Sequence, residues 1–189
     1  YYKGYDEILG CNWKEYNKHG WNHYGPGYFE LDEKSGVLTS SGGMGLFWYS
    51  AKKYADFILE LDYKCLAPNT NSGVFIRVPN FVTSDDYIYH SFEIQIDDES
   101  TDIHRTASVY DSEAPKEDAF KPTGQWNHYK ISFIGDVIKV ELNGKEVIDW
   151  KAEPRGKIKD FAKEGYIGLQ NHDSNAKVSF KNIFVKEVK

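Results

Sequence analysis

The chain is poor in the features that metal, redox and nucleic-acid sites require. Its 189 residues include one Met and two cysteines, Cys11 and Cys65, which allow one disulfide and have neither CxxC spacing nor a clustered His. The sequence leaves open whether these cysteines are bridged. The net charge is −6 and Lys and Arg form no cluster, so neither nucleic acid nor an anionic membrane surface is an expected partner. We therefore predict no bound metal, no cofactor and no nucleic-acid partner.

The chain also lacks long apolar runs and helical periodicity. No apolar run approaches the length that crosses a membrane, so we predict no membrane-spanning segment. Aromatic residues, in contrast, make up 16% of the chain, with 14 Tyr, 11 Phe and 5 Trp. Such a surplus is typical of β-proteins, and also of sugar sites, where a ring stacks on the apolar face of a pyranose. For any single ring, core filling is the alternative interpretation.

Short alternating runs separated by turn signals predict an all-β fold. The segments IGDV (134–137) and LNGKEV (142–147) place Gly or Asn-Gly between two such runs, which predicts tight hairpins. This spacing indicates one domain, residues 1–189, built as a two-sheet antiparallel jelly-roll sandwich after an irregular lead-in over 1–27. The strand-like runs lie at 29–41, 55–67, 71–78, 90–97, 106–111, 126–134, 137–144, 165–172 and 177–188.

The stretch FEIQIDD (92–98) predicts a strand with an unusual polar face. Ile94 and Ile96 would face the core, whereas the residues between and beside them would form a polar stripe on the opposite face. The same alternation in three neighbouring runs adds an Arg, a Tyr, a Gln and a His to that face. Their hydrogen-bonding groups suit sugar hydroxyls, and a solvated outer face is the alternative. The predicted polar face carries Arg77, Glu93, Gln95, Asp97, Tyr110, Gln170 and His172.

The two carboxylates of this stripe are too far apart to indicate a conventional retaining glycosidase. Glu93 and Asp97 are four residues apart, which on a regular strand separates their Cα atoms by roughly 13 Å. A retaining glycosidase holds its two carboxyl groups about 5–5.5 Å apart. The spacing therefore does not favour a paired-carboxylate mechanism.

Several motifs in order resemble the bacterial 3-keto-disaccharide hydrolase family. They are TNSGVFIR, FEIQIDD, TASVYDSEAP and GYIGLQNH, and the resemblance extends from about residue 30 to the end of the chain. It implies a concanavalin A-like jelly roll, exported to the periplasm or cell surface, that acts on sugars oxidised at C3 or at least on glycosides. The family commonly has Gly where this chain has Ala107, and the segments 78–91 and 97–105 are individual to this protein.

The resemblance also implies roles for the polar face. A 3-keto group makes the C2 proton acidic, so the site needs a base near C2 and a donor to the enolate oxygen. We expect Glu93 or His172 to be the base and Arg77 to stabilise the oxyanion. The residues expected to orient sugar hydroxyls are Gln95, Asp97, Tyr110 and Gln170.

Two alternatives for single residues and two for the whole protein stay open from the sequence. Arg77 could instead form a structural ion pair with Glu93 or Asp97, and Trp48 is either a sugar platform or a core ring. The whole face could belong to a non-catalytic carbohydrate-binding module or lectin. The protein could also be a conventional glycosidase of family-16-like architecture, although the E-x-D-x-E strand of that family is here E-x-Q-x-D.

Overall fold

Two antiparallel sheets make up the structure, a computed structural model that describes residues 3–9, 20–175 and 177–189. The larger sheet has the strand order β11-β10-β9-β6-β13-β4-β3, with β1 also paired to β13, and the smaller has the order β2-β5-β12-β7-β8. This arrangement confirms the predicted all-β, two-sheet antiparallel jelly roll. The strands are β1 (Asp6–Leu9), β2 (Trp21–Tyr24), β3 (Tyr28–Asp32), β4 (Val37–Ser41), β5 (Gly45–Tyr54), β6 (Phe57–Cys65), β7 (Ser72–Val78), β8 (Phe92–Ile96), β9 (Trp126–Ile134), β10 (Val137–Leu142), β11 (Lys145–Lys151), β12 (Gly165–Asn171) and β13 (Val178–Glu187).

The core lies between the sheets and follows the alternation seen in the sequence. In β6, Phe57, Leu59, Leu61 and Tyr63 are fully buried, while Ile58 and Asp62 on the other face are only half-buried. Each large apolar side chain removed from water stabilises the fold by about 1.5–3 kcal/mol. The larger sheet is therefore apolar inside and partly solvated outside, as antiparallel sheets commonly are.

The smaller sheet differs because both of its faces are covered. Every residue of β7 and of β8 is buried, including the polar residues of β8. The loop over residues 79–91, which contains a 3-10 turn at Asp85–Tyr89, lies over a second apolar cluster on the outer face of this sheet. We call this group the outer cluster; its buried members are Leu46, Trp48, Phe75, Val78, Val82 and Tyr166.

The hairpin between β10 and β11 has the predicted Asn-Gly turn. Asn143 and Gly144 both have positive φ, 52° and 84°, the combination that a type I′ turn requires. The Asn143 side chain accepts the His128 N–H at 2.8 Å and donates to the Ala119 carbonyl at 2.8 Å, which fixes the turn against its neighbours.

Two predictions about local structure are wrong. Residues 106–111 do not form a strand, because Ala107 and Asp111 have φ values of +73° and +61° and only Val109 makes isolated bridges. The left-handed backbone at Ala107 is a conformation that favours Gly. The lead-in is not irregular throughout, since β1 and β2 lie within it and pair with the sheets. Cys11 lies outside the described residues, and Cys65 is buried.

Candidate functional site

A small polar pocket lies at the β8 edge of the smaller sheet. It has a volume of about 90 Å³ and joins β7, β8 and β12 to two loops, one leading from β8 to β9 and one from β11 to β12. Five of the residues predicted from the sequence meet here, which we call the Glu93 pocket. Its lining residues are Asn71, Glu93, Gln95, Tyr110, Lys157, Gln170 and His172.

Strand register explains why these residues converge. Gln95 of β8 pairs with Gly73 of β7, and Glu93 pairs with Phe75. The segment after β8 folds back along it, so that the Tyr110 N–H donates to the Glu93 carbonyl at 2.8 Å. Adjacent strands lie about 4.8 Å apart, which brings side chains of the same face into one pocket.

The polar face of β8 is not a solvated surface. Glu93 and Gln95 are each only 3% exposed, although both are polar. Polar side chains are rarely so buried without hydrogen-bond partners, so the alternative of an ordinary solvent face is wrong for these two residues.

Four buried oxygen atoms in this pocket have no hydrogen-bond partner among the residues that the structure describes. A buried acceptor left unpaired costs about 1–3 kcal/mol, so such a set is a place where a bound ligand or water would supply donors. The ammonium group of Lys157 lines the same pocket and disfavours a metal cation there. Among the described residues, no three His, Cys, Asp or Glu side chains are grouped so that they could hold a metal ion. The unpartnered atoms are Asn71 Oδ1, Glu93 Oε2, Gln95 Oε1 and Gln170 Oε1.

The environment of Glu93 raises the pKa of its carboxyl group. Burial raises the pKa of Glu93 from 4.5 to about 7, and the nearby Lys157 ammonium opposes this rise in part. A carboxyl group with a pKa near neutrality can both accept and return a proton at physiological pH. Glu93 therefore has the properties of a general base.

Gly73 provides the space that the Glu93 carboxylate occupies. A Cβ placed on Gly73 would overlap the Glu93 Oε2 atom and also its Cγ and Cδ atoms. For the reaction proposed below, we expect Gly73→Ala to displace the carboxylate and to lower kcat/KM about a hundredfold, because a misplacement of about 1 Å can have this effect. Activity would be measured together with the melting temperature, and an active Gly73→Ala variant would contradict the placement of Glu93 described here.

Lys157 was not predicted from the sequence. It lies in the loop between β11 and β12, where no alternation indicates which way a side chain points. Its backbone N–H donates to Asp111 Oδ2 at 2.8 Å, and Asp111 Oδ1 in turn lies 2.9 Å from His104 Nε2. Its ammonium lies 4.4 Å from the centre of the Tyr110 ring. These contacts hold Lys157 in place. Apart from the ionisable His172, Lys157 is the only cationic residue among the lining residues of the pocket.

Asp97 lies beside the pocket rather than among its lining residues. It accepts a hydrogen bond from Asn71 Nδ2 at 3.2 Å, and so orients an amide whose oxygen faces the pocket. His172 is among the lining residues, and its Nδ1 is 2.7 Å from Asp173 Oδ2. The structure therefore brings His172 to the site and gives Asp97 a supporting position.

Arg77 does not face this pocket, contrary to the prediction. On the neighbouring strand β12, Tyr166 pairs with Val78 and Gly168 pairs with Phe75. These two pairs are two residues apart on β12 but three residues apart on β7, so β7 contains a bulge of one extra residue. Beyond Ile76 the alternation is reversed, and the Arg77 guanidinium lies 3.5 Å from the centre of the Phe133 ring in the core.

The hydrogen bonds of Arg77 are structural. Its side chain donates to the Ala55 carbonyl at 2.8 and 3.0 Å, and pairs with Asp56 at 3.3 Å. Arg77 therefore forms a structural ion pair, as the alternative interpretation expected, but its partner is Asp56 rather than Glu93 or Asp97.

Trp48 is a packed ring of the outer cluster. It is 6% exposed, and its ring lies 5.1 Å from that of Tyr166 and 5.7 Å from that of Phe81. Because neighbouring rings cover it, it cannot serve as a sugar platform.

The fold and the pocket define the class of protein. It is a jelly-roll β-sandwich of the concanavalin A-like type, with a buried polar pocket at the edge of one sheet. The chain belongs to the 3-keto-alpha-glucoside-1,2-lyase-like domain family, whose model matches residues 11–186. The resemblance inferred from the motifs is thereby confirmed.

Solved structures share this architecture over nearly the whole chain. A "putative glycosyl hydrolase" from Parabacteroides distasonis is 25% identical, with a TM-score of 0.79 over 97% of this chain and 99% of that one. The carbohydrate-binding module CBM66 from Bacillus subtilis is 17% identical, with a TM-score of 0.62 over 89% of this chain and 96% of that one. A Bacillus subtilis protein of unknown function with a galectin-like fold has a TM-score of 0.67 at 12% identity, over 97% and 98% of the two chains. No curated protein matches the sequence. No helix formed by the described residues is long and apolar enough to cross a membrane.

Proposed function

We propose that the protein cleaves the glycosidic bond of 3-keto-glycosides by elimination at the Glu93 pocket. The observation that carries this proposal is the buried Glu93 carboxyl, with a pKa of about 7, among three amide side chains whose oxygens have no partner in the described part of the chain. Family membership and the similarity to a protein described as a glycosyl hydrolase support the same class of substrate.

The amide oxygens select a ligand with several donors. Gln95, Gln170 and Asn71 each present one unpartnered acceptor, and adjacent hydroxyl groups on a pyranose ring supply donors at matching intervals. The Tyr110 ring and the Lys157 ammonium close another side of the pocket. A sugar edge that enters the pocket replaces the missing hydrogen bonds.

The reaction begins at C2 of the keto ring. Glu93 takes the C2 proton, and the electron pair moves into the C2–C3 bond to form an enolate on the C3 oxygen. The enolate then expels the C1 oxygen substituent, which leaves a C1–C2 double bond conjugated to the C3 ketone. Addition of water to this product, with the proton returned to C2, completes the net hydrolysis.

Lys157 takes the role that the sequence assigned to Arg77. Its ammonium is the cation that lines the pocket, and a positive charge close to the C3 oxygen stabilises the enolate. His172, held by Asp173, is positioned to protonate the leaving oxygen. This division of roles leaves Glu93 as the single base.

The test is the cleavage of a 3-keto-glucoside beside its unoxidised parent. Cleavage of the keto sugar alone supports elimination, because only the ketone makes the C2 proton acidic. Cleavage of both compounds would favour conventional glycoside hydrolysis. No cleavage, with saturable binding of a glycan, would assign the pocket to a carbohydrate-binding module, the class to which the similar CBM66 belongs.

A further inference from the structure

Two loops meet at the Glu93 pocket, and a single carboxylate joins them. The β8–β9 loop (residues 97–125) contributes Tyr110 to the lining of the pocket, and the β11–β12 loop (residues 152–164) contributes Lys157. Neither residue lies on a strand, so sheet pairing does not set its position. Asp111, the residue after Tyr110, makes the contact between the two loops.

Each carboxylate oxygen of Asp111 has its own partner. Oδ2 accepts the backbone N–H of Lys157 at 2.8 Å, and Oδ1 lies 2.9 Å from His104 Nε2. Burial raises the pKa of Asp111, but the hydrogen bonds and charges of His104 and Lys157 outweigh burial and hold this pKa below its ordinary value. Asp111 is therefore ionised at neutral pH and can accept from both partners at once.

The backbone on both sides of this contact has an unusual conformation. Asp111 has a φ of +61°, in the left-handed region that Asp and Asn tolerate better than most residues. Gly156 has a φ of +58°, and a Cβ there would overlap both the carbonyl oxygen and the Oδ2 atom of Asp111. The close approach of the β11–β12 loop to Asp111 thus requires the Gly that directly precedes Lys157.

The partners of Asp111 also contact the ring of Tyr110. Lys157 Nζ lies 4.4 Å from the centre of this ring, and the centre of the His104 ring lies 4.9 Å from it. Asp111 therefore joins two residues that both pack on a third residue of the pocket lining. The position of Lys157 relative to Tyr110 depends on this group of contacts.

Lys157 carries the charge that acts on Glu93. Burial raises the pKa of Glu93 to about 7, and the Lys157 ammonium opposes this rise. The other titratable side chains in the pocket or near Glu93 are Tyr87, Asp97, Tyr110 and His172. A change in the position of Lys157 should therefore be detectable in the titration of Glu93.

We propose that Asp111 is a positioning residue, which binds the backbone of Lys157 and so holds the Lys157 ammonium at the Glu93 pocket. Asp111 is not among the lining residues, so it acts on a substrate only through Lys157. The kinetic consequence of this inference rests on the proposed function. The position of Lys157 relative to Glu93 is independent of any reaction.

The first test titrates Glu93 in folded chains without a ligand. Asp111→Gly and Asp111→Asn both suit the left-handed backbone. Gly removes both acceptor oxygens, whereas the Asn amide keeps an oxygen for the Lys157 N–H and can donate to His104 Nε2. Carbon-13 NMR of labelled Glu carboxyl groups follows Glu93, whose signal is identified by its absence from Glu93→Gln. Lys157→Met and Asp111→Gly are expected to raise the pKa of Glu93 above about 7, and Asp111→Asn should leave it close to that of the wild type.

The second test measures kcat/KM for a 3-keto-glucoside. Lys157→Met is expected to lower it about a hundredfold, a loss typical of removing one group that stabilises an oxyanion. Asp111→Gly should approach the same loss, because a displacement of about 1 Å can have this effect. In the Lys157→Met background, Asp111→Gly should cause no further loss, because a residue that acts only through Lys157 then has nothing to position.

Asp102→Gly is the matched control for Asp111→Gly. Asp102 lies in the same loop with a φ of +52°, is exposed, and is not among the lining residues of the pocket. The same substitution at this position should change neither the titration of Glu93 nor kcat/KM.

The failure of this inference and the failure of the proposed function give different results. A wild-type titration of Glu93 in folded Asp111→Gly, or a further loss of activity when this change is added to Lys157→Met, would overturn the positioning role. An Asp111→Gly chain that does not fold would also overturn it, since the carboxylate would then be a requirement of the fold. If the wild type turns over no 3-keto-glucoside, the proposed function fails, and the titration alone decides whether Asp111 positions Lys157.

Discussion

Replacing Glu93 with Gln is expected to lower kcat for a 3-keto-glucoside about a thousandfold, because the only base at C2 is removed. The amide has nearly the shape of the carboxyl group, so it fits over Gly73 and the fold is retained. In the wild type, kcat/KM should rise with pH and level off above about 7, the pKa to which burial raises Glu93. Steady-state kinetics from pH 5 to 9 would measure both effects.

The same substitution should also change how stability depends on pH. The folded pKa of Glu93 lies above its ordinary value of 4.5, so the wild type loses stability as pH rises from about 4.5 through 7. A rise of this size corresponds to about 3 kcal/mol in the free energy of unfolding, which Glu93→Gln should recover at pH 8. Urea unfolding of both chains at pH 5 and pH 8 measures the difference.

Glu33→Gln is the matched control for Glu93. Glu33 is exposed in the turn between β3 and β4, so the same chemical change should leave both activity and stability as they are. An active Glu93→Gln variant would contradict the assignment of Glu93 as the base. An inactive variant that is also unfolded would point instead to a structural role for the carboxyl group.

Replacing Arg77 with Met is expected to lower the free energy of unfolding by about 3 kcal/mol, while kcat/KM of the folded fraction stays close to that of the wild type. The Met side chain fills much of the space over Phe133, but it donates no hydrogen bond to the Ala55 carbonyl and leaves Asp56 without its cation. This outcome is opposite to the one expected if Arg77 stabilised an oxyanion. Urea unfolding and kinetics at a temperature where the variant is folded would separate the two.

Lys139→Met is the comparison for Arg77. Lys139 is a half-exposed cation of β10 whose nearest carboxylate, Asp149, is 4.0 Å away, so its removal should change stability little. If Arg77→Met were stable but inactive, Arg77 would have to act on the substrate from a distance that the structure does not allow at the Glu93 pocket.

Much of the fold could be predicted because one face of the larger sheet is buried in the core and the other is partly exposed to solvent. The clean alternation in β6 arises from that difference, and the hairpin at Asn143 follows from turn chemistry that few other dipeptides satisfy. In contrast, β5 was not predicted: its first half, GLFWY, is mostly buried, and a strand covered on both faces shows no alternation. β1 and β2 are only four residues long and leave little pattern to detect.

The candidate site was predictable up to the point where alternation stops. Glu93, Gln95 and Gln170 lie on regular strands, so parity placed them together correctly. The prediction placed Arg77 on the wrong face of the sheet because one extra residue in β7 reverses which side chains face the core. No residue in the sequence VFIRV indicates such a bulge. Lys157 was missed because it comes from a loop whose direction is set by its bond to Asp111.

The position of β12 has a consequence for how the molecule is made. This strand, close to the end of the chain, lies between β5 and β7, so the smaller sheet stays divided until residues 165–171 enter it. Pairings between such distant segments form late, because closing long loops carries an entropy that few early contacts offset. A growing chain thus carries Glu93 without a complete pocket until residues 165–171 have been made. Catalytic competence should appear only with the closure of the sheet, so a chain shortened before β12 is expected to have no activity.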